Sequence, residues 1–181
     1  LSQVGVYRVA NDIAYLLVKI RAAFTPIISP LLSEFHATGR AERLHRCMVL
    51  VSRWSATLAF PVVAVFFLAG GDLLGLYGPT FRTGKTALIL LGGAFFINLS
   101  LGPTPQLTAI GGRPYRMLAY TVATVGLEAA LGVWLIPRFG LVGAALAAGV
   151  PLTLSKIPFL FDAWSILGRP PYDRKWLLLS L

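Results

Sequence analysis

Charge is scarce in this chain. Only 13% of its 181 residues are Asp, Glu, Lys or Arg, where a soluble domain carries about 25%. That scarcity argues against a water-soluble fold. There is one cysteine, Cys47, so no internal disulfide can form, and its apolar surroundings fit a small buried hydrophobe. The two histidines, His36 and His45, lie in a polar loop without cysteine partners, which is not metal-ligand spacing. There is no Ser/His/Asp set, no nucleophile elbow and no carboxylate pair suited to a cleft, so nothing argues for catalysis, for a cofactor or for a metal. The stretch Gly78-Pro-Thr-Phe-Arg-Thr-Gly84-Lys85-Thr86 approaches a phosphate-binding loop. It fails because the motif needs four residues between its glycines, and this one has five. No basic run is interleaved with aromatics in a polar context, which excludes nucleic acid as the expected partner.

What the chain does have is apolar length. Hydrophobic residues make up 56% and the mean hydropathy is +0.75. Five apolar segments run from about Val4 to Phe35, Arg46 to Gly70, Thr86 to Ile110, Arg116 to Ile136 and Leu141 to Leu167. Each reaches the ~20 residues needed to span a bilayer. The expectation is an all-α, polytopic transmembrane helix bundle of about five spans, forming one domain over residues 1–181. The chain starts at Leu1 without Met, lacks a signal-peptide pattern and stops inside a fresh apolar run, Trp176 to Leu181. It therefore reads as a fragment of a longer protein.

Basic residues set the expected orientation. Loops one, three and five hold Arg40, Arg43, Arg46, Arg113, Arg116, Arg169, Arg174 and Lys175, while the opposite side holds Arg8, Arg82, Lys85 and Arg138. The positive-inside rule puts the first set in the cytoplasm. Pro26, Pro30, Pro61, Gly102-Pro-Thr-Pro105, Pro151 and Pro158 interrupt the spans, where each proline removes a backbone bond. Small residues from Gly140 to Gly149 suit close helix packing.

The ionisable residues within the spans carry the functional reading. Arg8, Asp12, Tyr15 and Lys19 share one helical stripe, at i, i+4, i+7 and i+11. Arg8 and Asp12 form an i,i+4 pair able to neutralise each other. Arg21 points to another face. Glu34 and Asp162 lie toward segment ends, within reach of the interface. Lys19, Arg21, Arg53 and Lys156 are deep cations, and Glu128 is the one deep anion. A charge at bilayer depth costs roughly 2.5–3.5 kcal/mol on insertion scales. Two readings stay open: buried ion pairs between helices, or a cationic cavity for an anionic substrate. The surplus of cations favours the cavity. Glu128 is the candidate for proton or cation coupling, or for pairing with Lys19 or Lys156.

Several stretches resemble a known family. Val4-Gly-Val-Tyr-Arg-Val-Ala10, Pro30-Leu-Leu-Ser-Glu-Phe and the Gly39-Arg-Ala-Glu-Arg-Leu44 loop resemble the start of the C-terminal half of polysaccharide-biosynthesis flippases. Leu76-Tyr-Gly-Pro-Thr-Phe81 resembles their outer loop, and Ile136-Pro-Arg-Phe-Gly-Leu-Val-Gly-Ala-Ala-Leu-Ala147 their late-helix signature. Together they point to the multidrug/oligosaccharidyl-lipid/polysaccharide exporter superfamily. The resemblance implies most of the second six-helix lobe, with the N-terminal lobe and one helix absent. It further implies an undecaprenyl-diphosphate-linked oligosaccharide, as in O-antigen and lipopolysaccharide biosynthesis, moved by alternating access across a bacterial inner membrane. The implied diphosphate would meet Lys19, with Arg21, Arg53, Lys156, Arg8 and Asp12 nearby. The alternative within the superfamily is a cation- or proton-coupled multidrug exporter that relies on Asp12 and Glu128.

Overall fold

A computed structural model describes residues 2–167. Arg169, Arg174, Lys175 and the apolar run from Trp176, used above for orientation and extent, lie outside the described residues. The described residues form seven α-helices and no strand. These are α1 (Ser2–Ala14), α2 (Leu16–Ala37), α3 (Ala41–Gly75), α4 (Lys85–Ser100), α5 (Thr104–Ile110), α6 (Pro114–Leu154) and α7 (Lys156–Leu167), with a short 3-10 helix, Pro79–Gly84, before α4. Four helical runs are long and apolar enough to cross a membrane: Gln3–Ala37, Ala41–Gly75, Pro79–Ser100 and Pro114–Leu167. The protein is an all-α polytopic helix bundle.

The last run makes two passes because it folds back at Gly140. There the backbone adopts φ 53° and ψ −123°, a conformation outside the helical region. Beyond the fold, Gly143 lies directly on the backbone of Leu135 and Ile136. The Tyr120 and Phe159 rings meet edge-on at 5.2 Å. Farther along, Arg113 reaches Asp162 at 3.0 Å. A straight helix would hold those last two residues about 70 Å apart at 1.5 Å per residue. The hairpin supplies the fifth pass, with its tip near the boundary expected between the fourth and fifth apolar segments. Gly143→Ala would drive a methyl group into the Leu135 carbonyl. Its expected cost is about 1–3 kcal/mol, in the range of an overpacked core, read as a lower melting temperature of the purified protein.

Not every proline breaks its helix. Pro26 and Pro30 lie inside α2 and Pro61 inside α3. An isolated proline removes one hydrogen bond, and the remaining turns carry the helix through. Breaks come where a second feature joins the proline. Gly102 takes φ 64° just before Pro103 and Pro105, separating α4 from α5. Pro158 clashes with the Leu154 carbonyl four residues earlier, and α6 gives way to α7 at Ser155.

Two apolar clusters hold the bundle. One joins α1, α2, α3, α4 and α6 through Ala14, Leu17, Val63, Phe66, Leu88 and Ala145. The other joins α2, α3, α5 and α7 through Ile28, Leu32, Met48, Leu107, Ala163 and Leu167, with Cys47 packed at its edge. The small residues of α6 act as expected for close packing: Gly143, Ala145, Ala147 and Gly149 are buried. A Cβ placed on Gly149 would stand 3.1 Å from that of Ala94 on α4.

Candidate functional site

Along α2, Arg21 falls between Leu17 of the first cluster and Ile28 of the second. At this seam polar groups replace the packed apolar ones. Arg21 Nη1 donates to Asn98 Oδ1 at 3.4 Å. Asn98 Nδ2 donates in turn to the Leu152 carbonyl at 3.4 Å. That carbonyl also accepts from Ser155 Oγ at 2.8 Å, at the break between α6 and α7. The next residue is Lys156. The residue is only 2% exposed. A narrow cleft lined by Arg21, Thr25, Ser29 and Gln106 adjoins the guanidinium.

The structure places Arg21 at one end of this hydrogen-bonded chain and Lys156 next to its other end, and leaves the other candidates elsewhere. Arg8 and Asp12 on α1, Lys19 on α2, Arg53 on α3 and Glu128 on α6 are all exposed on the bundle. The ion pairs among the described residues are Arg46–Glu42, Arg82–Asp72, Arg113–Asp162 and Arg116–Asp162. Arg8 and Asp12 therefore do not neutralise each other, although their spacing permits it; both side chains extend outward instead. Glu128 pairs with neither Lys19 nor Lys156. It stands near Tyr7, across from α1. Tyr15 is exposed as well, with one side of its ring edge-on to Phe95 at 6.0 Å. Here the chain leaves ideal helix, and the Val18 amide bonds the Tyr15 carbonyl at 2.9 Å.

Asp162, read above as lying toward a segment end, is buried, its side chain 4% exposed. Oδ1 accepts from Arg113 at 3.0 Å and from Arg116 at 2.8 Å. Arg113 also donates to Ser165 Oγ at 2.6 Å. These two arginines, counted above as loop charges, tie the start of α6 to α7. A signal was present in the sequence: two arginines three residues apart open one span, and an acid stands near the end of the next. Asn98 was also missed, because a neutral amide in an apolar run carries no visible cost.

The fold and the polar seam describe a membrane bundle with cations in its interior and on its surface. One curated protein offers a comparison. The chain is 30% identical over 159 residues to the probable flippase AglR of Haloferax volcanii, a match that covers 86% of this chain and 33% of that protein. The chain is similar to a flippase. It spans about one third of the length of that relative. No protein-family profile and no solved structure matches it. The match covers most of the described bundle.

Proposed function

We propose that this chain is part of a flippase that carries a lipid-linked oligosaccharide, of the undecaprenyl-diphosphate type, across its membrane by alternating access. One observation supports the reading above the rest. Lys19, Arg21, Arg53 and Lys156 lie within the apolar spans, and none enters an ion pair among the described residues. Unpaired charge at this depth is expensive and marks a substrate path or a water-filled cavity. Lys19 and Arg53 are exposed on neighbouring helices, where a second lobe of the same protein would face them across a cavity. A diphosphate there gains Coulomb attraction in a low-dielectric site, and translocation needs no bond made or broken. The partners of this reading are the lipid-linked substrate, the bilayer and the N-terminal lobe. Its setting is the plasma membrane, the inner one in a bacterium.

The multidrug-exporter alternative depends on Asp12 and Glu128, and the bundle forms no bonded site from them. The test is complementation. A strain lacking the full-length gene should accumulate lipid-linked oligosaccharide on the cytoplasmic face, and the wild-type gene should clear it. Restored drug resistance without restored glycan export would overturn the proposal in favour of the exporter.

A further inference from the structure

We propose that the turn between α2 and α3 binds the anionic headgroup of a bilayer phospholipid, whose acyl chains lie along the exposed apolar face of α3 beneath it. The turn is tightly built. Gly39 takes φ 67°, a backbone conformation that strains any side chain. The Arg40 amide then donates back to the Phe35 carbonyl at 2.9 Å, closing the end of α2. One turn into α3, Leu44 is buried in the second apolar cluster with Leu32 of α2. With Leu44 held inward, Arg40, Arg43 and Arg46 stand exposed. All three line one open cavity of about 530 Å³, together with Gly39, Ala41 and Glu42. That is room for a phosphate-bearing headgroup. Glu42 pairs with Arg46 at 2.9 Å, and both side chains are well exposed. Such a pair is worth little in water and yields to a stronger anion. Arg40 and Arg43 enter no ion pair among the described residues. The cavity thus carries three guanidinium groups against one carboxylate, and guanidinium forks match phosphate oxygens.

What lies beneath the cavity separates a lipid from a soluble anion. Arg43, Leu50, Trp54 and Leu58 fall on one side of α3 at the helical period. Leu50 and Trp54 are each more than half exposed, and Leu58 is exposed too. α3 is long and apolar enough to cross the membrane. Its apolar face therefore begins one turn below Arg46 and runs into the hydrocarbon, which leaves the cavity at headgroup level. A soluble anion would use the arginines alone, whereas a phospholipid uses the arginines and the apolar face together. Arg53, assigned above to the substrate path, is turned about 100° from Trp54 around the same helix.

Trp54 gives the site a direct readout. Full-length protein is reconstituted in phosphatidylcholine vesicles that hold a minor fraction of lipid with brominated acyl chains, which quench tryptophan on contact. The brominated lipid is either phosphatidylglycerol or phosphatidylcholine. The Trp54 signal is the difference between the wild type and Trp54→Phe. It should be quenched at about tenfold lower content of the anionic lipid than of the zwitterionic one, the preference expected of arginines at a membrane surface. Raised salt should shrink that preference. Arg40→Gln, Arg43→Gln and Arg46→Gln together should abolish it and leave the two lipids equal. Lysine at the same three positions should keep most of it, since an ammonium still meets phosphate as a point charge. Equal quenching by both lipids in the wild type would overturn the site. So would a preference that survives the glutamine replacements. Absence of any Trp54 quenching would overturn it too, because another part of the protein would then cover this face. The vesicles carry no lipid-linked oligosaccharide, so these outcomes are separate from the export assay that tests the flippase reading.

Discussion

Lys19→Ala in the full-length protein is expected to lower export of lipid-linked oligosaccharide at least tenfold while the protein still reaches the membrane in normal amount. The two halves of that result have different physical origins. Lys19 is exposed, and its apolar neighbours Leu17 and Ile20 provide the packing of this turn of α2. Removing an outward side chain from such a turn costs little stability. The charge is another matter. Two unit charges 4 Å apart attract by about 4 kcal/mol at an effective dielectric of 20. A tenfold loss of rate requires only about 1.4 kcal/mol of that. Lys19→Arg should keep most of the activity, and Lys19→Glu should abolish it by repelling the diphosphate. The measurement is surface glycan together with accumulated lipid-linked precursor in a complemented deletion strain. Export at the wild-type level in Lys19→Ala would remove this residue from the substrate path.

Arg113→Gln combined with Arg116→Gln is expected to cost the folded protein about 3–5 kcal/mol, the usual penalty for stripping the partner from a buried charge. Each single replacement should cost much less, because the other arginine still reaches Asp162 at 3 Å or less. Adding Asp162→Asn to the double variant should recover much of the loss, since the orphaned charge is then gone. The arginines are themselves partly exposed, which places the expected value toward the lower end of that range. Thermal melting of the four proteins closes the cycle. A double variant no worse than its singles would mean that Asp162 does not carry the α6–α7 connection.

The legible part of this protein was the part written in long apolar runs. A stretch of ~20 apolar residues has few folded fates other than a span. The five segments, the break at Gly102-Pro103 and the close packing of Gly143 to Gly149 therefore follow from composition and local chemistry. The reach of Asp162 was not legible. Its position near the end of an apolar segment did not show that the hairpin at Gly140 turns α7 back along the start of α6 and places two arginines beside it. Pro26, Pro30 and Pro61 were equally ambiguous, since whether a proline interrupts its helix depends on the residues beside it and on the packing around it.

By itself the sequence determined that this is a polytopic helical membrane protein with more basic than acidic residues. Both properties are sums over residues, and no fold can alter them. Only the tertiary structure decided which cations face outward and which turn inward. Lys19 and Arg21 are two residues apart on one helix, yet one is exposed and the other meets Asn98 at the seam of two apolar clusters. The reason is rotational: two residues turn a helix by about 200°, and what lies on each side depends on how α4, α6 and α7 pack. Those contacts span tens of residues, and no local pattern encodes them.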